Sequence, residues 1–278
     1  MKTLKKTFVI VRGAGDISTG TIHRLFCAGF PVLALESSYP SAIRRKAAFS
    51  EAVYDGSTVV ENVAAVRIDD AGRAAEVIKE GKVPVLIDPE GRSIQKLSPD
   101  VLVDAILAKK NLGTTIDMAK LTIALGPGFE AGKDVCYVIE TMRGHNLGRI
   151  YSEGTALPNT GIPGLIAGYG RERVIHACAE GIFHPLRDIG DIVSSGEKIG
   201  YIDSGSGTAT VCSEITGVLR GILRDGYTVT AGFKTADVDP RKEEQKNCFT
   251  ISDKARCIAG SVLELVCAHE TTVTMPFR

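Results

Sequence analysis

An internal repeat near the end of the chain constrains the fold more than any other feature of the sequence. The segment GIFHPLRDIGDIVSSGEK (181–198) aligns without gaps with GVLRGILRDGYTVTAGFK (217–234), 36 residues further along. Each copy carries Gly-x-x-Val-x-x-Gly between two apolar stretches, a pattern typical of strand, tight turn and strand. The identical pairs are Gly181/Gly217, Gly190/Gly226, Val193/Val229, Gly196/Gly232 and Lys198/Lys234.

This repeat resembles the barrel-sandwich hybrid fold of biotinyl and lipoyl domains, in which two such copies interlock about a pseudo-twofold axis. Those domains carry a modified lysine on the hairpin between the copies. The corresponding segment here, SGSGTAT (204–210), contains no lysine. The resemblance therefore implies the fold without a swinging arm.

The beginning of the chain has the order strand, glycine turn, helix, strand and acid over residues 8–36. Phe8–Val11 and Pro31–Leu35 are short apolar runs that predict strands, and Ile17–Ala28 has helical spacing. This order is typical of one half of a Rossmann fold.

The glycine turn leaves two interpretations open. Gly13 and Gly15 match a dinucleotide fingerprint, and Glu36 is placed to accept a hydrogen bond from a ribose hydroxyl. The third glycine of that fingerprint is Ser18 here, and the carboxylate of Asp16 would repel a pyrophosphate. A tight turn with a capping aspartate is therefore an equal alternative.

The strand–helix rhythm then continues. Val63–Ile68 and Val83–Ile87 predict strands, Ala71–Glu80 predicts a helix, and Asp88 opens an acidic turn at a strand end. Repeated units of this kind imply a mostly parallel sheet with right-handed crossovers. Ligands bind beyond the carboxyl ends of strands in such sheets, which makes Asp88 a candidate binding residue.

The run VLVDAILAKKN (101–111) is apolar enough to be buried, although it contains Asp104. A buried acid needs a partner, so Asp104 is either paired structurally or faces the ligand cleft. Lys109 stands at the exit of this run and is a candidate ligand contact.

The segment from Leu121 to Arg149 carries the main candidate site. Two predicted strands, Leu121–Leu125 and Val135–Ile139, flank the turn Gly126-Pro127-Gly128, which calls for unusual backbone angles. The second strand is followed by the candidate catalytic residues Glu140, Arg143 and His145. An acid, a guanidinium and an imidazole at a strand end are typical of a polar ligand site. A surface loop with a salt bridge is the alternative.

A change in composition divides the chain. Residues 154–170 are rich in Gly and Pro and contain the turn signal Asn159-Thr160-Gly161. The predicted fold class is α/β: a Rossmann-like, mostly parallel sheet domain over residues 1–170, followed by a β-rich barrel-sandwich hybrid domain over residues 171–278. A C-terminal helix capped by Ser252 closes the second domain.

Composition excludes several classes of protein. The 278 residues are 44% hydrophobic and 24% charged with a formal net charge of +0, which predicts neither a nucleic-acid partner nor a membrane partner. The basic start, Met1–Lys6, is followed by too short an apolar run for a signal peptide. Seven cysteines without a CxxC pair predict reduced thiols in a cytoplasm and no metal site. A homo-oligomer stays open.

Read together and in order, a set of motifs resembles the YqeB family, accessory proteins of selenium-dependent molybdenum hydroxylases. These motifs span nearly the whole chain: RGAGDISTG, IDPEG, VDAILAKKN, LGPGFEAGKD, ETMRGHNLGR, PNTGIPG, DVDPR and TISDKA. The resemblance implies a role in maturation, in which the molybdenum cofactor or its selenium ligand is prepared for a xanthine dehydrogenase-like client enzyme.

The resemblance also implies which positions form the site. Motif positions carried over as candidate site residues are Gly13, Gly15, Asp16, Gly126, Gly128, Glu140, Arg143, His145 and Asn159. The expected ligand bears a phosphate, and a dinucleotide or a molybdopterin-type cofactor is the expected class.

Two further classes of function stay open, and with them the question whether the chain is an enzyme. One is a nucleotide-dependent oxidoreductase or transferase that acts on a small anionic substrate through Glu140–His145. The other is a non-catalytic cofactor carrier or chaperone. Cys136 is either a thiolate that holds sulfur or selenium or a buried thiol.

Overall fold

The computed structural model describes residues 6–270 and divides the chain into two compact units. Unit 1 comprises the chain up to Pro40, Ala48–Thr160 and the residues from Ile251 onward. Unit 2 comprises Ser41–Ala47 and Gly161–Thr250. The sequence analysis placed the boundary at residue 170 and the last helix in the second domain, whereas in the structure the boundary falls near residue 160 and that helix belongs to unit 1.

Unit 1 is built on a nine-stranded sheet with helices on both faces, together with one two-stranded sheet. Its strands are β1 (Val9–Arg12), β2 (Val32–Glu36), β3 (Ser57–Val60), β4 (Val63–Ile68), β5 (Val83–Ile87), β6 (Val101–Asp104), β7 (Leu121–Leu125), β8 (Glu130–Ala131), β9 (Tyr137–Ile139), β10 (Ile150–Tyr151) and β11 (Gly154–Thr155). Its α-helices are α1 (Asp16–Cys27), α2 (Ala52–Asp55), α3 (Ala74–Lys79), α4 (Arg92–Leu97) and α5 (Asp253–Glu270).

The central strands are apolar at every position because both faces of the sheet are covered. Val9 and Val11 of β1 pack in one core with residues of α1 and α5, such as Leu25 and Val262. Ile10, between them in sequence, points to the other face and packs in a second core with residues of α3 and α4. This alternation follows from the two-residue period of a strand.

The large sheet is mixed, with six parallel and two antiparallel pairings, and the predicted Rossmann-like class is wrong because of its strand order and its antiparallel edges. The strand order is β10-β9-β7-β6-β1-β2-β5-β4-β3, with β10 and β3 antiparallel to their neighbours at the two edges. A Rossmann half would place the third strand next to the second. Here β5 separates β2 from β4, and a hairpin of β3 and β4 forms the edge.

The predictions for individual strands and helices agree with the structure better than the predicted fold class does. The strands predicted at Val63–Ile68, Val83–Ile87 and Leu121–Leu125 are confirmed with the same bounds. The helix predicted at Ala71–Glu80 is shorter, since a 3-10 turn precedes α3. The strand expected at Val135–Ile139 begins only at Tyr137.

Unit 2 consists of two four-stranded antiparallel sheets. Their orders are β12-β19-β17-β14 and β16-β15-β13-β18. The strands are β12 (Val174–His176), β13 (Gly181–Pro185), β14 (Ile192–Val193), β15 (Lys198–Asp203), β16 (Thr208–Cys212), β17 (Gly217–Ile222), β18 (Tyr227–Val229) and β19 (Lys234–Asp239).

The two copies of the repeat make equivalent pairings across these sheets. Strand β13 pairs with β15 and β18, and β17 pairs with β19 and β14, so each copy contributes strands to both sheets. Gly181 and Gly217 each lie against a backbone carbonyl, that of Asp203 and that of Asp239, where a Cβ atom has no room. Close packing against these carbonyls therefore explains why the first residue of each copy is glycine.

The predicted barrel-sandwich, lipoyl-like class is nevertheless corrected to two antiparallel sheets. The repeat specifies a local strand–turn–strand element but not the composition of a sheet. Each sheet also contains strands that lie wholly or mostly outside the aligned segments, β12 and β19 in one and β16 and β15 in the other. A segment from the first half of the chain also joins this unit, since Ile43 accepts a hydrogen bond from Ile222 N.

None of the helices in the described part of the chain combines the length and the hydropathy that a membrane span needs.

Candidate functional site

The turn after β1 holds three of the candidate residues, Gly13, Gly15 and Asp16. Gly13 has φ +98°, and a Cβ atom there would lie 2.8 Å from the carbonyl oxygen of Ala105, so only glycine fits. Helix α1 begins two residues after Ala14, and its N-cap, Gly15, offers no side-chain acceptor. The start of α1 thus lies at the carboxyl end of the central strand, with Asp16 in its first turn.

Glu36 stabilises this turn. Its Oε2 atom accepts from Ala14 N at 2.7 Å, and its Oε1 atom accepts from Ser37 N at 2.7 Å. A dinucleotide site would need this carboxylate to accept from ribose hydroxyls instead. Each oxygen of Glu36 already has a backbone amide as donor, which favours the interpretation of a structural turn.

Asp88 caps the first turn of α4. Its carboxylate accepts from Arg92 N at 3.0 Å and from Ser93 N and Ser93 Oγ at 2.8 and 2.6 Å. Burial acts to raise the pKa of Asp88, but the hydrogen bonds from Ser93, Arg92 and Gly91 outweigh it and hold this pKa below its usual value. The acidic turn therefore has a structural role.

Asp104 has a structural partner, which resolves the open question about it. The residues Arg12, Asp104 and Thr114 are at most 2% exposed. Thr114 Oγ1 accepts from Arg12 Nη1 at 2.6 Å and donates to Asp104 Oδ2 at 2.6 Å, and the ionic groups lie 3.6 Å apart. Burial raises the pKa of Asp104, although Thr114 and Arg12 oppose that shift.

A cavity of about 630 Å³ lies beyond the carboxyl ends of β6 and β7. These strands are on the opposite side of β1 from β2 and β5. The cavity brings together three candidate residues that are distant in sequence: Lys109, Gly128 and Asn159. The remaining lining residues are Pro127, Phe129, Glu130, Asp134, Thr155, Ala156 and Pro158. An ammonium group, an amide and the carboxylates of Glu130 and Asp134 in one concave site suit a small polar ligand.

The glycines after β7 shape this cavity. A Cβ atom on Gly128, which has φ +109°, would lie 2.6 Å from Lys110 Cα. A Cβ atom on Gly126, which has φ +82°, would lie 2.6 Å from Thr141 Oγ1. The close approach of these backbones places Lys109, itself at φ +62°, on the cavity wall.

Glu140 is fully buried and holds the opposite wall in place. Its carboxylate accepts from Met142 N at 2.7 Å, from Leu157 N at 2.9 Å and from Tyr151 Oη at 3.4 Å. Leu157 lies between two residues that line the cavity, Ala156 and Pro158. The predicted acid–base residue therefore positions the cavity wall.

Arg143 and His145 lie near the same strand end but differ in their surroundings. Arg143 makes a bidentate ion pair with Asp253 at the start of α5, with N–O distances of 2.9 and 3.0 Å. The side chain of His145 is exposed and is absent from the cavity lining. Cys136, the candidate thiolate, is half-buried and accepts from Thr122 Oγ1 at 3.4 Å.

Lys254, the second residue of α5, was missed by the sequence analysis. Burial lowers its pKa, Arg143 lowers it further, and the carboxylates of Asp16, Glu140 and Asp253 oppose the shift. A signal was available in the sequence, since a lysine directly after a predicted helix start opposes the helix dipole. Within residues 6–270, no cluster of three or more His, Cys, Asp or Glu side chains suits a metal ion.

Comparison with curated proteins relates the chain to one of unassigned role. It is 47% identical over 256 residues to the "Uncharacterized protein YqeB" of Escherichia coli (strain K12), covering 92% of this chain and 46% of that protein. The chain therefore spans about half the length of this curated relative. No protein-family model matches the chain.

Solved structures offer only distant similarities. The product-bound ectoine utilization protein EutE (DoeB) from Ruegeria pomeroyi is 10% identical with a TM-score of 0.25, covering 86% of each chain. The succinylglutamate desuccinylase/aspartoacylase from Rhodobacter sphaeroides is 14% identical with a TM-score of 0.28, covering 86% of each chain. An aspartoacylase family protein from Mesorhizobium loti is 8% identical with a TM-score of 0.26, covering 85% of this chain and 86% of that one.

Similarities this low carry no argument about fold or activity. The descriptions of these structures name desuccinylases, aspartoacylases and an ectoine utilization protein, and none names a molybdenum or selenium protein. The Rossmann-like and barrel-sandwich predictions are wrong because of the sheet topology described above, and the predicted link to molybdenum gains no support from these structures.

Proposed function

Since the identity to YqeB over most of the chain supports membership of the YqeB family, we propose that this chain acts in the maturation of selenium-dependent molybdenum hydroxylases. Its cargo would be the molybdenum cofactor or the selenium ligand of that cofactor, before a xanthine dehydrogenase-like client is complete. The observations that carry the proposal are the ordered set of motifs from RGAGD to TISDKA, by which the chain resembles this family, and the 47% identity to YqeB over 256 residues.

The cavity supports a role in handling a small molecule. Its volume of about 630 Å³ is within the usual range for ligand sites, and it combines the cation of Lys109 with the amide of Asn159 beside Phe129. An ammonium group can neutralise a phosphate, and an amide can both donate to and accept from the polar edge of a ring. A phosphate-bearing pterin has both features.

The hydrogen bonding of Glu140 favours a carrier or chaperone over a nucleotide-dependent oxidoreductase or transferase. A general acid or base must reach the reacting proton. Glu140 is 0% exposed, and its oxygens are occupied by two backbone amides and Tyr151. Tight binding of cargo without turnover is therefore the form of the proposal, with the client enzyme as partner and the cytoplasm as location.

Deletion of the gene followed by purification of the client hydroxylase tests this function. We expect client protein that is present in normal amount but inactive, and short of molybdenum or selenium by elemental analysis. Complementation with a cavity variant, Lys109→Ala, should restore less metal than complementation with the surface variant Lys79→Ala. A client that is fully loaded and active in the deletion strain would refute the proposal.

A further inference from the structure

Two side chains of opposite charge line the cavity beyond β6 and β7 without pairing with each other. Lys109 comes from the loop after β6, and Asp134 comes from the turn that follows β8. Among the described residues, none makes a hydrogen bond or an ion pair with the ammonium group of Lys109. A ligand that carries both an anionic group and hydrogen-bond donors would satisfy both charges.

The turn from Glu130 to Asp134 holds the carboxylate of Asp134 in place. Asp134 N donates to Glu130 O at 2.9 Å, and Asp134 Oδ2 accepts from Glu130 N at 2.8 Å. The same residue therefore fixes the backbone and the side chain of the half-buried Asp134. The second oxygen, Oδ1, has no hydrogen-bond partner in the part of the chain that the structure describes, so it is available to a ligand.

Glu130 also lines the cavity, but its charge is already balanced. Its Oε2 atom accepts from Lys133 Nζ at 2.9 Å in an exposed ion pair. Lys133 attracts Asp134 only at longer range and makes no direct contact with it. Asp134 is therefore the carboxylate of this cavity whose free oxygen can recognise a ligand.

A fixed carboxylate oxygen accepts hydrogen bonds from amino and ring N–H groups. The edge of a 2-amino-4-oxopyrimidine ring, which guanine and pterin share, presents such donors side by side. The ammonium group of Lys109 is the complement of a phosphate on the same molecule. The cavity of about 630 Å³ is large enough for a ligand with a ring and a phosphate.

We propose that Asp134 binds the amino edge of a 2-amino-4-oxopyrimidine ring while Lys109 binds the phosphate of the same ligand. Asp134 is then the residue that determines which ring the cavity accepts. This assignment rests on the proposed function only in taking the cavity as the site of the cargo. It names the chemical class of that cargo, a phosphate-bearing guanine or pterin.

Isothermal titration calorimetry on the full chain with two pairs of ligands tests this assignment. Inosine monophosphate is guanosine monophosphate without the 2-amino group, and lumazine is pterin with an oxo group in that place. We expect the amino-bearing member of at least one pair to bind about 10–100-fold more tightly, as a hydrogen bond to a charged group predicts. Discrimination in the first pair identifies guanine as the ring, and discrimination in the second identifies pterin.

The variant Asp134→Asn should abolish this discrimination. Its amide oxygen can still accept from Glu130 N, while its amide nitrogen places a donor against the donors of the ring. The matched control is Asp70→Asn, because Asp70 also accepts from a turn amide, Gly72 N at 2.9 Å, and does not line the cavity. Absence of binding, equal affinity within both pairs, or an equal fall for both members in Asp134→Asn would overturn the assignment.

The variant Lys109→Met tests the phosphate separately from the ring. It should weaken binding of guanosine monophosphate or neopterin monophosphate by about 10–100-fold, and binding of guanosine or neopterin far less. A thermal melt of each variant shows whether it is folded, and if Asp134→Asn is not, the ligand pairs and Lys109→Met still decide the result. An equal loss for the ligands with and without phosphate would contradict the role of Lys109.

The assignment and the proposed function can fail separately, because the ligand pairs are measured on the purified chain. Discrimination of the amino group, together with a deletion strain whose client is fully loaded, would refute only the proposed function. Equal affinities within both pairs, together with a client that lacks molybdenum or selenium in the deletion strain, would refute only the assignment of Asp134.

Discussion

Single residues at the carboxyl edge of the large sheet show that a charged side chain near a ligand site often serves the fold. Glu36, Asp88 and Glu140 all follow strand ends, and all three accept hydrogen bonds from backbone amides. Their carboxylates accept hydrogen bonds from backbone amides that have no partner in a sheet or a helix. Glu140 in addition holds Leu157, between the cavity-lining residues Ala156 and Pro158.

Glu140 should matter for stability more than for proton transfer. Glu140→Gln replaces one acceptor oxygen with an amide donor that faces another donor, so we expect a loss of about 1–3 kcal/mol in the free energy of unfolding. Urea denaturation followed by circular dichroism measures it. The exposed Glu90→Gln is the control and should change stability by less than about 0.5 kcal/mol. A Glu140 variant as stable as this control would contradict the positioning role.

Asp104 compensates a buried cation. Asp104→Ala leaves the guanidinium of Arg12, 2% exposed, without its carboxylate, and we expect a loss of about 3–5 kcal/mol in unfolding free energy. The control is Asp69→Ala, whose carboxylate pairs with Arg67 at the surface. Chemical denaturation of both variants tests this. Arg12 Nη2 also donates to the carbonyls of Pro89 and Leu112, and a loss no larger than the control's would mean that these carbonyls and Thr114 suffice for Arg12.

At the scale of secondary-structure elements, close backbone contacts determine how helices pack together, and capping hydrogen bonds determine where helices begin. Helix α1 meets α5 at Gly20, where the backbone of one helix approaches Ala255 of the other. Helix α5 begins where Ser252 Oγ accepts from Ala255 N at 3.2 Å, which confirms the predicted cap. Helix α4 begins at amides that Asp88 satisfies.

The contact between α1 and α5 should not tolerate a methyl group. Gly20→Ala places a Cβ atom 2.8 Å from Ala255 Cβ, and we expect a loss of about 1–3 kcal/mol from overpacking. Gly260, in the interior of α5, has no atom within 4 Å of the corresponding position. Gly260→Ala should therefore stabilise the protein by up to about 1 kcal/mol through helix propensity. Thermal denaturation compares the stability of the two variants. A change of the same sign in both would contradict the close contact between α1 and α5 at Gly20.

The cap of α4 gives a pH-dependent prediction. Because the pKa of Asp88 is lowered from 3.8 in the folded protein, its ionised form stabilises the fold above that value, and the contribution is lost as the pH falls through the lower folded pKa. We expect Asp88→Ala to cost about 0.5–2 kcal/mol at pH 7 and progressively less in acid. Denaturation at several pH values tests this, with Glu90→Ala as control. A cost independent of pH would show that the charge has no part in it.

At the scale of the whole molecule, neither unit is a continuous stretch of chain. Unit 1 takes its last helix from beyond residue 250, and unit 2 takes Ser41–Ala47 from the first half. Four side chains of α5 are fully buried in the core of unit 1: Ile258, Val262, Leu265 and Val266. A division at residue 170 would separate this helix from the core that it completes.

Truncation tests this organisation. A chain that ends at Thr250 loses α5, and each of four large buried side chains contributes about 1.5–3 kcal/mol, a sum comparable with the whole stability of a typical domain. We expect unit 1 of this fragment to lack cooperative unfolding and to exchange the amide hydrogens of β1 and β7 rapidly. Hydrogen exchange with mass spectrometry measures this. Protection of those strands equal to that in the full chain would contradict the role of α5.

The sequence by itself determined the local elements and much of the site's composition. The apolar runs at Leu121–Leu125 and Val83–Ile87 predicted their strands, Ser252 predicted a helix start, and the glycines at 126 and 128 predicted a turn with positive φ. Periodicity, capping and backbone sterics act over a few residues, so they are visible in the sequence. The cavity then brings Lys109, Gly128 and Asn159 together, three of the residues chosen from motifs.

Only the tertiary structure decided how these elements are arranged. The place of β5 beside β2, the ion pair of Arg143 with Asp253 and the position of Lys254 join residues more than about fifty positions apart in the chain, or depend on such contacts. Burial and hydrogen bonding over whole faces of the sheet select these pairings, because many arrangements share the same local patterns. For this reason the burial of Lys254, which lowers the pKa of its ammonium group, followed only from the placement of α5.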